Sequence, residues 1–362
     1  MKKTPKVTIV TATYNLIKND REAFFRQCVE SVHNQTYPNI EHLIIDGAST
    51  DGTLDLIKEY EEKGWLKYYS EPDAGMVDAM NKGIKKASGE YVAILNSDDY
   101  YAQDAIELLM SKLLDEKADY SYGNTNMYNR SGDKKLWEWK PTEELFSKFY
   151  IYLPFNHEAM LCKKTTYQSL NYYDFSKYGT AADYDFVIKL ILNDFKGCYV
   201  DQLILNFRMD GTTNHTTEKK SPEYLEHMHS FYQVFLDLWD QFLPSSYMLR
   251  LNKIVKNRNT ELGKTEIDYI LNVYFYKKLL KFLKRKKLKN YPFKYLTKTI
   301  KNFEKQIRIV LFNFFPLLKI KIEEDKYYFK LFNCIPLVKI KIKKNVKAFY
   351  LFYCISFLKI KF

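Results

Sequence analysis

From residue 7 onward, short apolar runs alternate with stretches in which apolar residues recur every three or four positions. The runs Val7–Ala12, Glu41–Ile45, Leu66–Tyr69 and Tyr91–Leu95 have the length and composition of buried strands. Helical periodicity covers Glu22–Asn34, Leu54–Glu62 and Val77–Ala87 between them. Such alternation predicts an α/β fold, a mostly parallel sheet with helices on both faces. Past Ser221 the rhythm turns helical, over Glu223–Phe242 and Asp268–Leu288. It then gives way to three copies of a 12-residue motif at a period of 20: LFNFFPLLKIKI at 311–322, LFNCIPLVKIKI at 331–342 and LFYCISFLKIKF at 351–362. The pattern therefore divides into an α/β domain over residues 1–218, a helical basic region over 219–308 and a repeat tail over 309–362.

Charge sharpens that division. Residues 1–249 hold 27 Lys and Arg against 37 Asp and Glu, whereas residues 250–362 hold 29 against 7. An acidic globular half is not built for nucleic acid. The basic, aromatic-rich half suits an anionic membrane surface, each copy joining an apolar patch to an alternating Lys-Ile-Lys strand; a module packing on its own neighbours is the alternative. No run reaches the roughly 20 apolar residues of a spanning helix, so membrane contact is expected to be peripheral. Met1-Lys2-Lys3 before Val7–Val10 reads as the approach to a first strand, not a signal peptide. The five cysteines (Cys28, Cys162, Cys198, Cys334, Cys354) have no metal-type spacing and suit a reducing cytosol, predicting a cytoplasmic protein peripheral on the inner membrane face.

The candidate chemistry lies where strands stop, the edge at which open α/β sheets hold ligands. Tyr91–Leu95 runs straight into Asn96-Ser97-Asp98-Asp99, and adjacent carboxylates there suit a hard divalent cation shared with a diphosphate. The bland alternative is a cap for the helix starting near Gln103. The first strand ends on Thr13-Tyr14-Asn15, the second on Asp46-Gly47-Ala48-Ser49, and the third on Glu71-Pro72-Asp73. Asp51, Gly52 and Thr53 read equally well as a turn and an N-cap at Thr53. Further on, His157 sits in FNHEAM, and Asp183 and Asp185 fall in the opening turn of a helix expected over Val187–Asn193. Each has a structural reading, as a buried histidine or as acids favourable with a helix dipole.

In this order and spacing, VTIVTATYN, IIDGASTDGT, EPDAGMVDAMNKGI and GEYVAILNSDD resemble the nucleotide-binding half of inverting family-2 glycosyltransferases with the GT-A fold, over roughly residues 5–215. The resemblance implies a UDP-sugar donor, a glycan or lipid-linked acceptor, and Mn²⁺ or Mg²⁺ as cofactor. It places Thr13, Tyr14, Asn15, Ser49 and Ser97 around the nucleotide, Asp46 on uracil, Asp73 on the nucleoside and Asp98 on the metal. Asn96 occupies the first position of the family's D-x-D, so the chain departs from a strict pair, and Asp99 is left for the sugar or acceptor. ADYDFVIKL resembles the family's E-D element, which makes Asp183 the general base, with Ala182 replacing the usual acid and Asp185 in reserve. His157 resembles a histidine near the diphosphate or acceptor, and Arg208, with Asn214-His215, resembles a closing loop. Two competing classes remain: a sugar-phosphate nucleotidyltransferase, whose Gly-rich phosphate loop is missing here, and a non-catalytic binding protein working through residues 250–362.

Overall fold

The computed structural model describes residues 4–146, 153–209, 233–241 and 276–292, the segments 318–323 and 326–331, and the isolated positions 149, 230 and 297–298. The chain divides into two units, Met1–Leu296 and Thr297–Phe362.

Within the first unit, β1 (Val7–Thr13), β2 (Ile40–Asp46), β3 (Lys67–Ser70) and β4 (Tyr91–Ile94) lie parallel in the order β3-β2-β1-β4. The interiors of β1, β2 and β4 are almost completely buried because helices cover both faces. On one face, α1 (Glu22–His33) turns Phe25, Cys28, Val29 and Val32 inward at helical spacing, beside α2 (Thr53–Glu62) and α4 (Ala105–Glu116). On the other, α3 (Met76–Lys86) approaches so closely that a methyl group at Gly83 would collide with the Val10 side chain and stand 3.1 Å from Ile45 Cγ1.

Beyond β4 the sheet becomes mixed. The strands β5 (Tyr100–Tyr101), β6 (Tyr120–Tyr128), β8 (Met160–Lys163) and β9 (Gly197–Arg208) extend it in the order β4-β8-β6-β9-β5, with β7 (Lys135–Trp139) paired to β6. β8 runs antiparallel to both β4 and β6, whereas β6 and β9 are parallel. The parallel character expected from the alternation thus belongs to β1–β4 and to the β6/β9 pair. Short helices α5 (Glu143–Phe146), α6 (Lys164–Ser169) and α7 (Phe175–Tyr178) lead to α8 (Ala182–Leu192), which begins five residues earlier than its periodicity suggested.

Of the two helical patterns past Ser221, residues 233–240 and α9 (Tyr276–Arg285) are described, and both are helical. The first packs on the α/β domain: the Tyr178 hydroxyl donates to Asp237 at 3.0 Å, and Lys177 pairs with Asp237 at 2.7 Å. The backbone after α9 is fixed by Asp194, whose Oδ1 accepts from the N–H groups of Lys289 and Asn290 at 2.9 Å. In the second unit, β10 (Leu318–Glu323) and β11 (Lys326–Leu331) form an antiparallel pair. The Lys-Ile-Lys end of the first repeat is thus a strand, as its alternation predicted; the rest of the repeats, apart from Leu331, lies outside the described residues.

Gly83→Ala is expected to destabilise the fold by about 2 kcal/mol through overpacking. Chemical denaturation checks this, and a neutral result would mean that α3 is not held against β1 as described.

Candidate active site

Four aligned strand ends build one wall of the cleft. Thr13 lies in register with Asp46, and Asp46 with Ser70. The Asp46 carboxylate binds them together: Oδ1 accepts from Thr13 Oγ1 (3.2 Å) and Ser49 Oγ (2.5 Å), and Oδ2 from Ser49 N–H (2.9 Å) and Ser70 Oγ (2.8 Å). Fully buried, outside the cleft lining and with each oxygen accepting two hydrogen bonds, Asp46 is placed as a brace between the strand ends and not at the cleft surface where the uracil contact was expected. Ser49 and Asn15 are likewise committed to loop geometry. Asn15 N–H donates to Ser49 Oγ at 2.8 Å, and Asn15 Oδ1 accepts from Thr50 N–H at 3.0 Å. The residues reaching the cleft from this wall include Thr13, Tyr14, Gly47 and Asp73. Tyr14 is 62% exposed. Gly47 allows Asp73 close: a Cβ there would stand 2.7 Å from Asp73 Oδ2.

The N-cap of α2 is Gly52, and Asp51 does the capping work. Its Oδ1 accepts from Thr53 N–H (3.1 Å) and Thr53 Oγ1 (2.6 Å), so Thr53 is the first helical residue and not the cap. Asp98 and Asp99 are not caps either, because α4 begins at Ala105.

The turn after β4 carries the densest electrostatics. Asp98 pairs with Arg21 at 2.5 Å, and both line the cleft. Asp99 lies beneath, 1% exposed, and its Oδ1 accepts from Arg208 N–H at 2.6 Å. Glu158, fully buried, receives Asn96 N–H on Oε2 (2.8 Å) and the Asn96 side-chain amide on Oε1 (2.7 Å). Burial, aggravated by neighbouring carboxylates, lifts the Asp99 carboxyl well above its ordinary range and the Glu158 carboxyl to about 7. Arg208, at the end of β9, ties the turn down. Its guanidinium donates to the Asp98 carbonyl and to Gln27 Oε1, and lies over the rings of Phe24 (4.4 Å) and Tyr100 (5.1 Å). Arg208 is therefore a buried clamp beside the cleft. The loop it was expected to lead, with Asn214 and His215, lies outside the described residues.

The opposite wall comes from β6–β9 and α8. Phe155 stacks on Tyr122 at 4.2 Å, Asn156 caps the following turn by accepting from Glu158 N–H at 3.0 Å, and Tyr101 donates its hydroxyl to the Glu158 carbonyl. These contacts fix His157, whose Nδ1 lies 3.2 Å from Asp183 Oδ2. Burial pushes the His157 pKa down, but the Asp183 carboxylate, with Glu158 behind it, outweighs that and raises it above 6.5. His157 Nε2 has no partner among the described residues, and the ring lines the cleft. Asp183 sits in the first turn of α8, where its Oδ1 accepts from Tyr184 N–H at 2.7 Å, a position favourable for a carboxylate. Asp185, two residues on, is buried away from the cleft and paired with Lys189 at 2.6 Å, so it is no substitute for Asp183.

The cleft encloses about 930 Å³ and brings Thr13, Tyr14, Asp73, Ser97, Asp98, Asp99, His157, Asp183 and Arg208 together. Arg21, Glu158, Arg130 and Trp139 also border it, and no sequence pattern marked them. Among the described residues no group of three or more His, Cys, Asp or Glu is arranged to hold a metal. A magnesium-type ion needs only one or two protein carboxylates when phosphate and water supply the rest; the cleft lining offers Asp98, now paired with Arg21, and Asp99.

The fold is of the GT-A type, with the cleft at the carboxyl ends of its strands. Residues 8–181 match the model of Glycosyl transferase family 2. It is 35% identical over 127 residues to the glycosyltransferase GlyA of Streptococcus pneumoniae serotype 4, a match covering 35% of this chain and 18% of GlyA. It is 26% identical over 243 residues to MJ1057, an uncharacterized glycosyltransferase of Methanocaldococcus jannaschii, covering 63% of this chain and 78% of that one. The structure of S. aureus TarS 1-349 aligns with 93% of this chain and 100% of its own, at a TM-score of 0.50 and 16% identity, showing a shared fold.

Replacing Asp183 with Asn is expected to lower the His157 pKa, followed by NMR titration of its ring protons. Because the folded value is raised, the pair's contribution, about 1 kcal/mol, is complete below pH 6.5. It fades as pH rises through the folded value. An unchanged titration would mean that Asp183 does not face the ring.

Proposed function

We propose that the chain transfers a sugar from a UDP-sugar to a hydroxyl of a glycan acceptor, inverting the anomeric centre. The observation that carries this reading is Asp183, held by His157 and by its own helix terminus on the wall of the cleft opposite the β4 turn. A sugar hydroxyl is a poor nucleophile, so a fixed carboxylate must accept its proton as it attacks. Asp183 has that role, and His157, whose Nδ1 lies 3.2 Å from Asp183 Oδ2, orients it. On the other wall, Tyr14 offers a ring face and Asp73 a carboxylate to the nucleoside. S. aureus TarS, which shares the fold, has been crystallised with UDP-GlcNAc, and this supports a UDP-sugar donor here.

Asp98 would hold Mn²⁺ or Mg²⁺, which when bound neutralises charge on the departing diphosphate. Arg21, already beside Asp98, contributes a cationic guanidinium to the same region. The strongly basic residues 250–362 support docking on an anionic membrane surface, keeping the domain near a lipid-linked acceptor. Among the described residues no helix is long and apolar enough to cross a membrane.

With a panel of UDP-sugars, one is expected to release UDP in a metal-dependent manner. Asp183→Asn should lower that rate at least about 100-fold while changing UDP affinity less than about threefold. Equal loss of both would remove Asp183 from the role of base. Full-length protein should co-sediment with phosphatidylglycerol vesicles at low salt and be released as salt rises; retention at high salt would contradict an electrostatic docking surface.

A further inference from the structure

The departure from a strict acidic pair at the end of β4 has a physical cause below the turn. Glu158 is fully buried and presents both carboxylate oxygens to one residue, taking the backbone N–H of Asn96 on Oε2 (2.8 Å) and its side-chain amide on Oε1 (2.7 Å). That fork fixes the first residue of the turn in both backbone and side chain. Asn96 and Asp98 both line the cleft, but the Asn96 side chain is committed to Glu158. Glu158 is itself immobilised, its N–H on Asn156 Oδ1 and its carbonyl on the Tyr101 hydroxyl. The position it occupies requires a donor at residue 96. An aspartate there would replace the amide donor with another carboxyl against Glu158 Oε1, in a site already holding Asp98 and Asp99, so the two could meet only by taking up a proton.

We infer that Glu158 is a positioning residue that holds the Asn96–Asp99 turn in its nucleotide-binding shape, and that Asn96 is the partner of Glu158 and not a weakened metal ligand. The inference rests on the nucleotide-binding reading of the cleft. It explains why an amide and a buried acid occur together here, and it makes their chemistry interchangeable as a pair. With Glu158→Gln, the side-chain carbonyl oxygen can still accept the residue 96 N–H while the new amide donates to the carboxylate that Asn96→Asp supplies. Exchanging both residues therefore keeps two hydrogen bonds and the total charge.

The test is a double-mutant cycle on the full chain, N96D, E158Q and N96D/E158Q, read by UDP affinity with and without Mn²⁺ and by Tm. N96D is expected to weaken UDP binding at least about tenfold and lower Tm, E158Q to weaken binding severalfold, and the exchanged pair to return within about threefold of wild type. If N96D fails to fold, a folded, UDP-binding double variant carries the same conclusion. Tighter Mn²⁺-dependent UDP binding by N96D would instead make residue 96 a missing metal ligand and overturn the inference. So would losses that simply add in the double variant, or a double variant that also fails to fold. Wild-type protein that binds no UDP would defeat the donor reading alone, because the Tm cycle still reports whether residues 96 and 158 are coupled.

Discussion

Burying acid at the end of a central strand is the constraint around which this domain is arranged. Asp98, Asp99 and Glu158 crowd together at the base of the cleft, and carboxylates withdrawn from water repel one another unless donors and cations intervene. Arg208, Arg21 and the Asn96 amide intervene. Arg208 arrives from β9 and Glu158 from the turn before β8, so the acid cluster at the end of β4 holds together only when the mixed half of the sheet has assembled against the parallel half. The chemistry and the long-range topology are therefore one problem, and the loss of Arg21 would leave the Asp98 carboxylate without the cation it is paired with.

That dependence also divides the cleft into two walls of different character. The β1–β4 wall is a set of aligned strand ends stitched by Asp46, whose four accepted hydrogen bonds make it a rivet between loops. It presents Tyr14 and Asp73 forward. The β6–β9 and α8 wall carries His157 and Asp183, set by aromatic stacking of Phe155 on Tyr122 and by the opening turn of α8. In the proposed reading the first wall would take the nucleotide and Asp183 on the second the acceptor's proton, so that the reacting groups meet without rearranging the site.

Several features were legible in local pattern because they depend on near neighbours. The β1–β4 rhythm, the helices between them and the strand character of Leu318–Ile322 follow from residue periodicity, which the backbone imposes within a few residues. The carboxylates at strand ends followed too, since an apolar run that stops on acid has few other places to put it. Asp46 and Asp185 show the limit. Both sit in suggestive motifs, yet Asp46 is consumed by Thr13, Ser49 and Ser70, and Asp185 by Lys189. A motif records residue type and spacing, whereas the number of lone pairs left for a ligand depends on partners brought in from elsewhere.

The division falls along range of interaction. Strand and helix identity, the acidic and basic halves, the 20-residue repeat and the edge at which chemistry gathers were set by order and composition, because each arises from neighbours along the chain or from total charge. Packing alone decided that Arg208 clamps Asp99 across 109 positions, that Arg21 meets Asp98 across 77, and that Glu158 lies under Asn96. Nothing in a local pattern specifies a contact over such separations; it appears once burial forces every acid in the cluster to find a proton donor or a positive charge.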